Sequence, residues 1–264
     1  MLGFGSTVNR TNVILPSHHN AATHVESMSF DGNGDLFRLA DHDDFSFVND
    51  ATGNASFSIS FWIKREANNE NHGIIGKVST TTTFEYRIFF ASSTLYCDIY
   101  DTTVGNYTRS QWNNITSTDW MHFTVTYGGP TGLNNFKLYY NGIETARSAT
   151  GTGGTGGDME NLVGQLFIGD VYDGSTDYFL NGFLCQFMMW NKELGPAEAA
   201  YLYNTEAPRD PTKNSSSYSS KGNLIAWWPF DDSDGDEDHS TNSHDLTAAG
   251  DASISTGGSN SPFA

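Results

Sequence analysis

Two Asp-rich runs and two runs mixing aromatic rings with amides hold the side chains best suited to chemistry. Asp31-Gly-Asn-Gly-Asp35 sets carboxylates on either side of glycines that free the backbone to wrap an ion, and Asp41, Asp43 and Asp44 add negative potential nearby. In the run from Asp231 to Asp238, Asp232, Asp234, Asp236 and Asp238 alternate as at the start of an EF-hand loop, without that loop's closing Glu. Hard oxygen donors at this density suit calcium, with Asp31, Asp35, Asp232 and Asp234 as the expected ligands; for the second run the alternative is a solvated acidic turn. The runs from Tyr107 to Asn114 and from Asp170 to Tyr178 suit a sugar, whose apolar face stacks on rings while amides and carboxylates bond its hydroxyls. There Tyr107, Gln111, Trp112, Asn113, Tyr172 and Asp173 are the expected glycan contacts, set in loops, and the alternative is that the rings pack against the rim of the fold.

No catalytic residue is expected. Glycoside hydrolysis needs two carboxylates flanking one bond, whereas Glu85 and Asp98 stand singly on polar strand faces, where single acids usually meet solvent. Gly151 to Gly157 lacks the Lys-Ser/Thr of a phosphate loop, no nucleophile elbow is present, and the 8 His are scattered without zinc spacing.

The elements that must position these residues are strands. Phe57 to Lys64, Phe84 to Ala91, Trp120 to Tyr127, Phe136 to Tyr140, Leu166 to Gly169 and Phe183 to Asn191 alternate apolar and polar side chains, the period that gives a strand one buried face. Phe57, Ile59, Phe61 and Ile63 point inward; Ser58, Ser60, Trp62 and Lys64 point outward. Trp62, Trp120 and Trp190 all lie opposite their strands' apolar faces, as a sheet-face patch or beneath the N-terminal arm. Asn141-Gly142 supplies the positive φ angles of a tight hairpin, while Gly128 to Pro130 and Gly151 to Gly157 read as turn and loop. Pro196 opens a short Ala-rich helix, Asn204 to Lys221 is an irregular connection, and Asn223 to Phe230 is a further strand. The tail after Leu246 is expected to return to a sheet edge. Cys97 and Cys185 read as small buried hydrophobes, Cys185 sharing its face with Phe183 and Phe187; a bridge between them stays open.

Residues 29–264 are expected to form one all-β domain, preceded by an arm over residues 1–28 that is either flexible or, through Val13-Ile14-Leu15, an attachment segment. A net charge of -18, from 31 acids against 13 bases, sets long-range repulsion against nucleic acid and anionic lipid. Only 17% of residues are charged and 27 are Gly, a mixture that suits a loop-rich extracellular or particle-borne module. The first residues hold no apolar run long enough for a signal peptide or membrane span.

The ordered series Phe30-Asp-Gly32, Phe57-Ser-Ile-Ser-Phe-Trp-Ile-Lys64, Trp120-Met-His-Phe-Thr-Val-Thr-Tyr127, Lys137-Leu-Tyr-Tyr-Asn-Gly142, Leu166-Phe-Ile-Gly169 and Asn181-Gly182 through Trp190-Asn191 resembles the laminin-G-like jelly rolls of the concanavalin A-like lectin and glucanase superfamily. That resemblance spans residues 29–204. It implies a two-sheet antiparallel jelly-roll sandwich with one short helix, often a calcium ion near one edge, and carbohydrate or protein ligands bound by loops or a sheet face. The chain departs from the family pattern at Cys185-Gln186, where many relatives carry an acidic pair.

Asn223-Leu-Ile-Ala-Trp-Trp-Pro-Phe-Asp231 with Ser240 to Thr247 looks like the segment that completes such sandwiches in phage and bacterial surface proteins. The resemblance thus points to a virion or cell-surface protein, and the lack of a leader favours the former: a non-enzymatic virion structural or decoration protein on the particle surface, assembled in the host cytoplasm. Its partners would be other virion proteins, copies of itself in a homo-oligomer included, and host surface glycans. A free calcium-dependent lectin and a degenerate glycoside hydrolase are the alternatives.

Overall fold

The computed structural model describes residues 26–49, 53–80, 83–103, 105–129, 135–153, 157–171, 177–231, 235–256 and 261–263. In chain order the strands are β1 (Glu26–Asp31), β2 (Leu36–Leu39), β3 (Val48–Asn49), β4 (Gly53–Asn54), β5 (Phe57–Arg65), β6 (Asn71–Thr80), β7 (Thr83–Ala91), β8 (Thr94–Asp101) and β9 (Asn106–Trp112). They continue as β10 (Met121–Tyr127), β11 (Phe136–Tyr140), β12 (Ile143–Thr145), β13 (Ala149–Gly153), β14 (Gln165–Ile168), β15 (Asn181–Trp190), the helix α1 (Pro196–Leu202), β16 (Leu224–Trp228), β17 (Thr247–Ala249) and β18 (Ser253–Thr256). The expected strands and helix all form, and the jelly-roll sandwich is the observed architecture.

Two 8-stranded antiparallel sheets make the sandwich. The first runs β12-β11-β10-β5-β15-β1-β18 with β16 also on β15; the second runs β13-β9-β8-β7-β6-β14-β2-β17. The alternating aromatics meet between them, Phe57 of β5 lying 5.5 Å from Tyr86 of β7 and Phe123 of β10 5.8 Å from Phe90 of β7 between ring centroids. Asn141 and Gly142 turn β11 into β12 at φ 49° and 74°, the left-handed pair that a two-residue hairpin needs.

A bulge in β15 explains one misassigned face. Its register against β5 slips between Cys185 and Met188, with Gln186 at φ 52°, so the inward set is Leu184, then Phe187 and Met189. Phe183 and Cys185 therefore lie on the opposite face from Phe187. The same kink lets two strands share one flank of β15: β1 pairs with residues 181–184 and β16 with 187–190. Both cysteines are buried and free, so the bridge left open by the sequence is not formed.

The outer faces of the two sheets differ. Over the first, the chain following β15 lays down α1 and the irregular segment, burying Trp190 with Met188, Leu194, Leu202, Tyr218 and Leu224 in a second apolar cluster. Trp190 Nε1 donates to Tyr218 Oη at 2.8 Å, and that hydroxyl donates to Pro211 O at 2.9 Å. Trp62 is buried against His122, Tyr203 and Phe263. It is thus the chain after β15 that covers Trp62 and Trp190. The C-terminal residues then serve both sheets, β17 pairing with β2 and β18 with β1, as expected of a tail that returns to a sheet edge.

Candidate functional site

The outer face of the second sheet carries three cross-strand rows, fixed by the registers of β7, β8 and β9. Arg87, Asp98 and Arg109 lie directly opposite one another; Phe89, Tyr96 and Gln111 form the row on one side, and Tyr100 and Tyr107 the row on the other. Period two along each strand is what brings these side chains to one face. Asp98 is fully buried beneath the rows. Its carboxylate accepts Arg87 Nε at 3.0 Å, Arg109 Nε and Nη2 at 2.6 Å each, and Tyr100 Oη at 3.4 Å. Solvent exposure of Glu85 and Asp98, expected from their standing singly, is not what the fold has. Asp98 lies under two guanidinium groups. Glu85 sits in a register slip of β7 and pairs with buried Lys77 at 2.8 Å.

The guanidinium groups in turn order the rings. Arg87 lies 4.9 Å from the centroids of Phe84 and Phe89 and 5.2 Å from Tyr100; Arg109 lies 4.6 Å from Tyr96 and 5.1 Å from Tyr107. Phe89 stacks on Tyr96 at 5.2 Å, and Tyr100 leans on Tyr107 at 5.7 Å. Burial opposes charge on Arg109, but its bonds to Asp98 outweigh this and hold it firmly protonated. Burial, then the charge of Asp98, pushes the Tyr100 hydroxyl up, so it stays a neutral donor. Tyr96, Tyr100, Tyr107, Arg109 and Gln111 are half-buried. Rings with hydroxyl, amide and guanidinium groups at their edges are the equipment for stacking a sugar and bonding its hydroxyls.

Of the expected glycan contacts, Tyr107 and Gln111 belong to this face, and Asn113 stands exposed at its rim, where it accepts Gln111 Nε2 at 3.2 Å. Their setting is a strand rather than a loop, because 106–112 pairs with β8 and with β13, which itself occupies part of the run expected as glycine loop. Trp112 is a correction. Alternation turns it inward, where it is 1% exposed and donates Nε1 to Thr145 O at 3.0 Å. Tyr172 and Asp173 lie outside the described residues. Sequence reading missed Tyr96, Asp98, Tyr100 and Arg109, although their spacing of two across β8 and β9 was a usable signal.

Beside Phe89, Tyr178 leads at 5.8 Å to a cleft of about 700 Å³ lined by Asp41, Val163, Gln165, Phe167, Asp170 and Asp177. Burial, then the charge of Asp177, raises the Asp170 carboxyl from its ordinary 3.8 to about 6, and among the described residues its Oδ1 has no hydrogen-bond partner. Because the folded value is the higher one, ionising Asp170 costs stability as pH rises from about 4 to 6, and the full cost persists above 6. Asp170→Asn is therefore expected to gain on the native protein across that window, by roughly 2–3 kcal/mol at pH 7. Urea denaturation of both proteins at pH 4, 5, 6 and 7 measures this; an offset that is the same at every pH would exclude Asp170 as the titrating group.

The first acidic run does gather carboxylates. Asp31, Asp35 and Asp251 each offer an oxygen within 4.8 Å of the others, Asp251 arriving from the β17–β18 turn. Asp35 is buried; its Oδ2 accepts Asp31 N at 2.9 Å and its Oδ1 accepts Asp251 N at 2.7 Å. A carboxylate has about four lone-pair sites, so both oxygens keep acceptor capacity and the donor set fits a hard cation. In the second run Asp232 and Asp234 lie outside the described residues. Asp238 is engaged by the Trp227, Ser240 and His244 N–H groups, which makes it an organiser of its loop.

These observations define a lectin-like sandwich in which the chain after β15 packs over the first sheet, while among the described residues half-buried rings line the outer face of the second. Residues 31–200 match the laminin-G-like family model of the concanavalin A-like lectin/glucanases superfamily, and the chain belongs to that superfamily. A search of the curated proteins finds no match to it. Among solved structures it is similar to a protein from Bacteroides ovatus provisionally described as carbohydrate binding, at 16% identity and a TM-score of 0.55, covering 88% of this chain and 60% of that one. The chain thus spans less than two thirds of that relative. It is also similar to the heptameric SAP-like pentraxin of Limulus polyphemus (12% identity, TM-score 0.45, 90% and 97% covered). A third is the type G botulinum neurotoxin receptor binding domain (14% identity, TM-score 0.43, 67% and 46% covered). Among the described residues no helix is long and apolar enough to cross a membrane.

Proposed function

We propose that this chain is a non-enzymatic carbohydrate-binding module whose ligand lies across the outer face of the second sheet. The observation that carries this is the buried Asp98, which pairs with Arg87 and Arg109 between rows that carry the half-buried Tyr96, Tyr100 and Tyr107. A surface of rings and fixed donors costs little entropy to bring to a ligand. Its carboxylate is consumed by two guanidinium groups, leaving it unsuited to act as nucleophile or acid. Support for the ligand class comes from the fold shared with the Bacteroides ovatus protein.

Tyr96→Ala and Tyr107→Ala are each expected to weaken binding to a glycan identified on an array by about tenfold, the worth of one aromatic contact, while changing thermal stability little. Binding unchanged in the double variant would remove this face as the site, and turnover of a glycan would overturn the non-enzymatic reading. Calcium belongs to the same proposal: Asp31, Asp35 and Asp251 would hold it and so tie the β17–β18 turn to β1.

A structural role on a virus particle is the second reading. It is favoured by the likeness of Asn223 to Asp231 and Ser240 to Thr247 to the completing segment of phage and bacterial surface proteins, with the arm before β1 as the attachment. Stoichiometric presence in purified particles is its test.

A further inference from the structure

We propose that His42, Asp44 and His244 form a binding site for a divalent transition metal ion of the zinc class, separate from both the sheet face and the Asp31 loop. One nitrogen of each imidazole and one Asp44 oxygen all lie within 4.8 Å of one another. His244 Nε2 is 2.9 Å and His42 Nδ1 3.6 Å from the same oxygen, Asp44 Oδ2. At metal–ligand lengths of about 2.0–2.1 Å, tetrahedral ligand atoms stand about 3.3 Å apart, so these two separations bracket what zinc requires.

Two imidazoles and one carboxylate favour zinc, nickel or copper over calcium and magnesium, which take oxygen. The His42 and Asp44 side chains are 49% and 47% exposed, which leaves an open side for a water ligand. His42 Nδ1 accepts Asp44 N at 3.2 Å, and coordination through that nitrogen would exchange this long bond for one to the metal. Metal would bind His244 through Nε2 with the ring neutral and its proton on Nδ1, so a proton held on Nε2 toward Asp44 either moves to Nδ1 by way of solvent or, from an imidazolium, is released.

The buried ligand is already aimed. The His244 backbone N–H donates to Asp238 Oδ2 at 2.9 Å, its backbone carbonyl accepts Trp228 Nε1 at 2.9 Å, and its ring packs on Phe45 at 5.0 Å. Its ring lies 4.4 Å from that of His42 at 66°, so both edges reach the one carboxylate. Backbone bonds and ring packing thus hold this residue in place before a metal arrives, which lowers the cost of ordering the site. The three ligands come from the turn after β2 and from the loop before β17, so the ion would fasten the C-terminal loop to the body of the sandwich.

The test is titration of the full, untagged chain with cobalt(II), read by visible absorption, and with zinc, read by calorimetry and melting temperature. His18, His19 and His24 are replaced by Gln in the background protein, so that besides the two ligands only His72 and His122, both buried, and the largely covered His239 remain. One equivalent bound, a raised melting temperature with zinc and none with calcium at the same concentration are expected, as is a loss of about tenfold or more in affinity in both His42→Gln and Asp44→Asn. These two positions are exposed, so the variants should keep the fold, which circular dichroism checks. An absence of one-equivalent binding in the background protein, or affinity unchanged in both variants, would overturn the proposal.

Discussion

Replacing Asp98 with alanine is expected to destabilise the protein by about 3–5 kcal/mol, the cost of leaving buried charge uncompensated. Arg87 and Arg109 approach Asp98 from β7 and β9 through three bonds of 3.0 Å or less, and the carboxylate between them is fully buried. Without it the two guanidinium groups face each other across β8, and the aromatic rows they order lose their alignment. Replacing the whole row instead, as Asp98→Leu with Arg87→Leu and Arg109→Met, should recover most of the loss, because desolvating the three charges offsets much of their attraction. Urea denaturation of the single and triple variants decides the matter; a single variant within 1 kcal/mol of the native protein would show that Asp98 holds nothing together. The triple variant should fold yet fail to bind glycan, which separates the stability of this face from its use.

Trp190→Ala is expected to cost about as much, 3–5 kcal/mol, for a different reason. Trp190 is completely buried, and its ring and N–H bind α1 and the Tyr218 segment to the first sheet. Truncation leaves a cavity and removes a buried hydrogen bond, so residues 191–220 should open before the sandwich does. Limited proteolysis and hydrogen exchange would then report cleavage and fast exchange confined to that stretch. If protection falls evenly across both sheets, the segment is not the separable cover described here.

The strands were legible because side-chain alternation is a direct record of which face is buried, and Phe57 to Ile63 or Phe136 to Tyr140 needs no long-range knowledge to read. The face of Cys185 was not legible, since a single inserted residue at Gln186 reverses the count and no residue type announces it. Nor was the burial of Glu85 and Asp98. A lone acid on a polar face looks solvated until the neighbouring strands supply Lys77 or a pair of arginines, and those arrive only through strand order. Trp112 misled in the opposite way: amides on both sides gave it the composition of a loop, while its place in alternation put it inside. At the Asp31 loop the local carboxylates were visible, but Asp251 joins them from the far end of the chain.

The pairing of Glu26 with Thr256 has a consequence for how the protein is made. On a ribosome adding about 5–20 residues per second, the first strand would emerge roughly 10–50 s before the last one that flanks it. During that interval β1 has one unpartnered edge even after β15 has joined its other side, and β2 likewise awaits β17. The nascent chain must therefore keep two half-finished sheets from joining those of its neighbours, a period in which its strong negative charge, by mutual repulsion, favours each chain closing on itself.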